Sequence, residues 1–310
     1  MNKLIIKWSG RKTYLTPYID KYLSEKKLDK FNYHEPFLGS GAIFFHLANQ
    51  KKIEKSYLND MLKELVILYE VLQTVDLYNF IKKINEEVYK YSHHENGIKR
   101  AYNSKNKIYK EWRNEFNILI SKDNINNLGR NNKIKLTRLF LLLNYSCFNG
   151  VYRKNPEGIF NVPQGRVATK NGVKRNSISI PDKKIFENFI SLINETKSSF
   201  SSVDFKVALK KVKKGDLVYL DPPYYDSVNY YNESTFSKQN QEELKEEMIR
   251  LVKLGAHVIM SNSKSKECKT LYKSDLLNIK EIPITRTIQR KKNKNGIQYK
   301  EDKKELFITS

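Results

Sequence analysis

The chain of 310 residues holds only two cysteines, Cys147 and Cys268. That is too few for a disulfide framework or a zinc site, and neither lies beside a second cluster of ligand-type residues, so no metal is expected. Eight prolines are likewise too few for a disordered chain, while 39% hydrophobic and 12% aromatic residues fit a folded one. No apolar run approaches the ~18 residues of a membrane span. The opening stretch MNKLIIKWSGRKTYL has only a two-isoleucine patch, unlike a secretory leader. A cytoplasmic protein without membrane contact is expected. There is no Gly-x-x-x-x-Gly-Lys-Ser/Thr loop, which leaves nucleoside triphosphate hydrolysis without support. The pair His93–His94 lies in the polar stretch YSHHENG and reads as solvated loop.

Acidic charge is the other shortage. Against 57 Lys+Arg stand 34 Asp+Glu, a formal net charge of +23. Such an excess favours a polyanionic partner, nucleic acid first among them, held in a salt-dependent way. Abundant Lys, Asn and Ile also fit an AT-rich coding sequence, but the field exists whatever its origin.

What is present is a strand–helix alternation interrupted by a helical block. Asn32–Pro36 predicts a short strand, followed by the turn Phe37-Leu-Gly-Ser-Gly41, an apolar stretch from Ala42 to Ala48 and a second strand at Ser56–Asn59. From Met61 the apolar residues Leu62, Leu65, Val66, Leu68, Tyr69 and Leu72 recur at helical spacing. Further helices are predicted over Asn79–Tyr91, Lys105–Ile120 and Lys133–Tyr145, with strand character between 66 and 168 only near Cys147–Val162. Alternation then resumes: Leu217–Leu220 and Ala256–Met260 read as buried strands around an amphipathic helix at Gln239–Leu254. Ile279–Gln289 and Glu305–Ile308 flank a basic tract, Arg290–Gly296, like the arms of a hairpin. The pattern predicts an α/β fold with a mainly parallel sheet. The expected division is a catalytic domain over 1–65 and 169–310 and an inserted, mainly helical domain over 66–168.

Two short motifs carry the chemistry. Gly39-Ser-Gly41 stands where a strand turns into a helix, and Asp60 lies nineteen residues beyond Gly41. Glycines there let a backbone approach a ligand, and an acid at the next strand end can hold ribose hydroxyls. A purely structural turn is the plain alternative. The dinucleotide fingerprint fails at its third position, occupied by Phe44, which favours a cofactor without a pyrophosphate. The second motif, Asp221-Pro-Pro-Tyr224, follows directly on the strand Leu217–Leu220. A carboxylate beside a carbonyl fixed by prolines gives two acceptors converging on one amino group, with an aromatic ring to stack on the base that carries it. A Pro-Pro strand terminator is the alternative here.

These blocks together resemble the Dam-like family of adenine-specific DNA methyltransferases. The likeness rests on Lys7-Trp-Ser-Gly-Arg-Lys12, Glu35-Pro-Phe-Leu-Gly-Ser-Gly41, Asn149-Gly-Val-Tyr-Arg153 with Gly158-Ile-Phe-Asn-Val-Pro-Gln-Gly165, and Asp221-Pro-Pro-Tyr224, with Ser261-Asn262 and Lys304-Glu-Leu306 adding to it. Their order spans nearly the whole chain. Arg11 departs from the family, which often has glycine at that place.

The resemblance implies a Rossmann-like methyltransferase sheet with S-adenosylmethionine as cofactor and double-stranded DNA as partner, acting as a monomer. It implies a cofactor pocket of Trp8, Lys12, Phe37, Gly39, Gly41, Asp60, Phe205 and Asp221, with Asp204 near the cofactor's adenine. Catalysis is expected from Asp221, Pro222 and Tyr224, acting on an adenine flipped out of the duplex. A DNA-contacting hairpin over Asn144–Arg166 would offer Asn149, Val151, Arg153 and Pro163, with Arg153 reading a guanine in a GATC-like site. Lys154 and Pro156 differ from the expected pattern. A cytosine-N4 methyltransferase needs the same two acceptors but more often carries serine in place of Asp221. RNA or protein-glutamine methyltransferases usually show asparagine there. A non-catalytic DNA-binding protein on the same scaffold is the reading from another class, and the intact Asp221–Tyr224 and glycines weigh against it.

Overall fold

A computed structural model describes residues 4–93, 98–165, 180–224, 236–284, 291–292, 298–299 and 304–310. The strands are β1 (Phe31–Glu35), β2 (Ile53–Asn59), β3 (Ser199–Ser201), β4 (Leu217–Leu220), β5 (His257–Ser263), β6 (Asn278–Pro283), β7 (Lys291–Lys292), β8 (Gln298–Tyr299) and β9 (Lys304–Thr309). Among the described residues seven of them form one sheet in the order β3-β2-β1-β4-β5-β9-β6, and β7 and β8 pair separately. The first five in this order are parallel to one another; β9 runs antiparallel between β5 and β6.

The helices are α1 (Thr16–Glu25), α2 (Ala42–Asn49), α3 (Lys63–Thr74), α4 (Leu77–His93), α5 (Ile98–Ile120), α6 (Lys122–Ile125), α7 (Arg130–Ser146), α8 (Lys183–Glu195), α9 (Phe205–Leu209), α10 (Lys238–Leu254) and α11 (Lys266–Tyr272). Side chains alternate across the strands, as the twofold period of a strand requires. Leu217, Tyr219, Ile259 and Phe307 join one apolar cluster with residues of α1, α2, α3 and α8, while Val218, Leu220, Val258, Met260, Leu306 and Ile308 join another with α9, α10 and α11. Helices therefore cover both faces, the doubly wound arrangement expected of alternating strands and helices. The first cluster continues without a break into α4, α5 and α7, so the helical block shares its core with one face of the sheet.

Local chemistry explains several boundaries. Ser237 and Asn240 cap each other's backbone at the start of α10, and Gly255 ends it in the left-handed conformation. Of the hairpin predicted at the C-terminal side, β6 and β9 pair antiparallel with Ile279 opposite Ile308, while residues 285–289 of its first arm lie outside the described residues. Of the basic tract between them, residues 290 and 293–296 lie outside the described residues. His93 closes α4 rather than lying in a loop, and His94 lies outside the described residues.

The segment Cys147–Val162 departs from expectation. Asn144 to Ser146 belong to α7, and the rest is a folded-back loop held by isolated antiparallel bridges, Cys147 to Gln164 and Lys154 to Phe160. Pro156 and Pro163 cannot donate to a ladder, and Gly150 and Gly158 take left-handed φ values, so a continuous two-stranded ribbon does not form. Arg166, the predicted end of this hairpin, lies outside the described residues.

Candidate active site

The C-terminal ends of β1, β2 and β4, where open α/β sheets bind ligands, carry the predicted residues. The β1–α2 turn is built on two glycines in the left-handed region. At Gly39, with φ +50, an added Cβ would lie 2.9 Å from Trp8 Nε1, so a side chain there would strike the Trp8 ring. Asp60, just past β2, locks the turn: one carboxylate oxygen accepts from Gly39 N (2.8 Å) and the other from Leu62 N (2.9 Å). The Tyr69 hydroxyl donates to the Gly39 carbonyl at 2.7 Å. Burial pushes the Asp60 pKa up to about 6 against the pull of these two amides. The Asn59 side chain donates to Pro36 O (3.1 Å) and Val203 O (2.9 Å), which ties the ends of β1 and β2 to the loop after β3. In that loop Asp204 caps α9 by accepting from Lys206 N. Phe37 and Phe205 meet with ring centroids 5.8 Å apart, and Phe236 closes the aromatic group against both.

Lys12 stands at the centre of the second half of the site. Its ammonium donates to Asp221 Oδ1 and Glu305 Oε1, both at 2.8 Å, and to the Tyr224 hydroxyl at 2.7 Å, while sitting 4.5 Å from the Tyr224 ring centre. All three ammonium protons are thus used. Burial pulls the Lys12 pKa down, but Asp221, Tyr224, Tyr219 and Glu305 outweigh it and hold it well above the ordinary lysine value. Glu305, fully buried on β9, also accepts from the Tyr14 hydroxyl. Burial raises the Glu305 pKa, with Lys12 opposing.

Ser261 on β5 donates to the same Asp221 Oδ1 at 2.9 Å and contacts the Tyr219 hydroxyl at 3.0 Å. Asp221 is therefore pinned by one oxygen, and its Oδ2 has no partner among the described residues. Next to it, Pro222 is buried, and its carbonyl accepts no hydrogen bond among the described residues. The Pro223 carbonyl is held instead, accepting from Gln241 Nε2 at 2.8 Å. Two acceptors, Asp221 Oδ2 and Pro222 O, are left for an amino group brought to this strand end.

The loop after α7 brings the predicted DNA contacts together. Asn149 and Gly150 both take left-handed φ, 53° and 64°, so the predicted turn exists, but it starts the loop rather than forming its tip. The tip is at Asn155–Gly158, where Gly158 N donates to Asn155 O (2.9 Å) and Asn155 N to Ile159 O (3.0 Å). Asn149 and Pro163 are exposed, and Phe148 N donates to Pro163 O at 3.0 Å, which sets the two side by side. Val151 and Arg153 are half-buried, and Arg153 Nε donates to Asn161 Oδ1 at 2.9 Å. Trp8 links the loop to the glycine turn, for its ring stacks on Tyr152 at 5.9 Å and faces Gly39.

Residues 8–288 match the family model of the D12 class N6 adenine-specific DNA methyltransferases. The chain belongs to this family. A type II methyltransferase of Lactococcus lactis subsp. cremoris is 31% identical over 295 residues, covering 94% of this chain and 90% of that protein. A type II methyltransferase of Methanocaldococcus jannaschii is 29% identical, covering 95% and 96%. The DNA adenine methylase of Vibrio cholerae is 24% identical, covering 93% and 90%. The D12 match makes this chain a DNA adenine methyltransferase with a Rossmann-like methyltransferase fold, as its residues had indicated. No described helix is long and apolar enough to cross a membrane.

Sequence reasoning missed Ser261, Glu305 and Glu64 as parts of the site. Two signals were available: Ser261 and Glu305 lie in blocks that carry the family likeness, and Glu305 opens the apolar run Leu306-Phe-Ile308, where a charge on a buried strand calls for a partner.

Proposed function

We propose that this enzyme methylates the N6 amino group of adenine within a specific short sequence of double-stranded DNA, with S-adenosylmethionine as methyl donor. The reading rests above all on Asp221, held by Lys12 and Ser261 through Oδ1, with its Oδ2 and the carbonyl of the next residue, Pro222, unpartnered among the described residues. An adenine N6 lone pair is delocalised into the ring and is a poor nucleophile. Two fixed acceptors on its N–H groups draw the nitrogen toward tetrahedral geometry and stabilise the positive charge that grows on it. Lys12 carries one positive charge against the two carboxyl groups of Asp221 and Glu305, so the cluster does not oppose that growing charge. Tyr224 gives the flipped base a ring to stack on.

The glycine cradle fits the cofactor. Only a residue without Cβ leaves room beside Trp8 at Gly39; Gly41 and Phe37 shape the same turn, and Phe205 adds an aromatic wall. Each Asp60 oxygen keeps a lone pair for a ribose hydroxyl after accepting one backbone amide. When bound, S-adenosylmethionine supplies an electrophilic methyl group on a sulfonium. In this reading residues 1–65 and 169–310 hold cofactor and base, while 66–168 find the target. Arg153 is assigned to a guanine, whose O6 and N7 accept both ends of a guanidinium, in a GATC-like site. Asn149, Val151 and Pro163 line the same approach.

The test is mass spectrometry of nucleosides from DNA incubated with enzyme and cofactor. N6-methyladenine is expected from the wild type and none above a few per cent of it from Asp221→Ala, with DNA binding retained. N4-methylcytosine as the product, or substantial activity in Asp221→Ala, overturns the assignment.

A further inference from the structure

We infer that Glu64 is a positioning residue for sequence reading, clamping the two neighbours of Arg153 so that Arg153 is presented to DNA. This rests on the assignment of Arg153 to base recognition made above. Glu64 lies in the first turn of α3, four residues past Asp60, and is 1% exposed. One of its oxygens accepts from the buried Tyr152 hydroxyl and from Lys154 Nζ, the latter at 2.5 Å. Both partners belong to the loop that follows α7, some ninety residues away in sequence.

The backbone around Arg153 is extended. Lys154 bridges Phe160 in antiparallel fashion, and Asn161 N donates to Arg153 O at 3.3 Å. In an extended segment successive side chains point to opposite sides. Tyr152 and Lys154 both turn toward Glu64, which sends Arg153 the other way, where Asn161 Oδ1 holds its Nε at 2.9 Å. Tyr152 is itself wedged between Phe140, stacked at 5.4 Å, and Trp8, stacked at 5.9 Å. The residue that fixes Arg153 is thus a buried carboxylate in the other part of the chain, beside the cofactor turn, and not a loop residue. A buried carboxylate that lost Lys154, or a Lys154 that lost its carboxylate, would leave an unmatched charge and release one flank of Arg153.

The experiment uses the full chain and a library of duplexes varied one base pair at a time around the methylated adenine, read as kcat/KM at each site relative to the preferred one. Arg153→Ala, Glu64→Gln, Lys154→Met and the double variant Glu64→Gln/Lys154→Met are compared, each with a thermal melt. Arg153→Ala should lower discrimination at one position about tenfold or more. Glu64→Gln and Lys154→Met should each lower it at that same position by about fivefold, a fraction of the Arg153 effect, and leave the other positions within about twofold. The double variant removes both charges together and should lose less than the two single changes combined. Should Glu64→Gln fail to fold, Lys154→Met reads the same contact. If Arg153→Ala relaxes one position while the other two single variants lower all sites evenly or change none, Glu64 is only structural and this inference is overturned, with base reading intact. If Arg153→Ala itself lowers every site evenly, base reading by Arg153 fails and the inference falls with it.

Discussion

In the proposed function one carboxyl group, that of Asp60, serves two purposes, closing the glycine turn and holding the ribose. Its oxygens close the glycine turn through Gly39 N and Leu62 N, and the burial this demands lifts its pKa from 3.8 to about 6. A raised carboxyl pKa means that the fold gains from protonating Asp60 below about 4 and loses that contribution as pH rises through about 6. Ligand binding runs the opposite way, because the protonated acid is a poorer acceptor for a ribose hydroxyl. Cofactor affinity measured by calorimetry should therefore fall as pH drops through about 6. Asp60→Asn should weaken binding by about 1.5–3 kcal/mol at pH 7.5 and abolish the inflection. A wild-type affinity flat from pH 5 to 7.5 would remove Asp60 from the ribose. At this scale the sequence was informative where the residues of the proposed site sit in short runs: Gly39, Gly41, Asp60 and Asp221–Tyr224 are all visible as motifs. It gave no role to Glu64, nor to Ser261 and Glu305 although both lie in blocks that carry the family likeness, because their partners are 88, 40 and 293 residues distant. Nothing local to a glutamate says which lysine it will meet.

The loop after α7 is the element to which the proposed function assigns recognition. The amino-terminal stretch threads beneath it: Lys7 N donates to Asn144 Oδ1 and Asn144 Nδ2 to Lys7 O, both at 2.8 Å, and Lys7 Nζ reaches Tyr145 O at 3.0 Å. Gly150 makes this approach possible, for a Cβ there would lie 2.3 Å from Lys7 Cβ, and its φ of +64° disfavours any other residue. Gly150→Ala should cost about 1–3 kcal/mol of stability, seen as a lower chemical-denaturation midpoint, and should impair methylation more than cofactor binding. An unchanged midpoint would show that the stretch moves aside freely. Elements with strong periodicity were legible: α3, α4, α5, α7 and α10 fall close to their predicted spans, as do β4 and β5. The loop was misread as a ribbon because the turn residues Asn149 and Gly150 carry a hairpin signal, yet Pro156 and Pro163 deny the ladder its donors. Strand β3 and helices α1, α8 and α11 escaped notice. Ser199–Ser201 has the polar composition of a loop and becomes a strand only because β2 offers an open edge.

Across the whole molecule the charge of +23 governs encounter with DNA. Each phosphate neutralised releases counterions, so log affinity for non-cognate duplex should fall linearly with log salt, by a factor of about 10³ or more between 50 and 200 mM if six or more phosphates are engaged. Fluorescence anisotropy on a duplex lacking the preferred site checks this. A shallow slope would mean that the lysines are a matter of codon composition and do not gather on the DNA-facing side. The same molecule-wide view gives the Lys12–Glu305 pair a further meaning, one of timing. Lys12 is translated 293 residues ahead of the carboxylate that shares its charge. A chain still short of β9 lacks Glu305, which leaves Asp221 as the one carboxylate of this pair available to Lys12. The buried charge cluster is thus complete only once strand β9 lies between β5 and β6, since Glu305 reaches Lys12 from that strand.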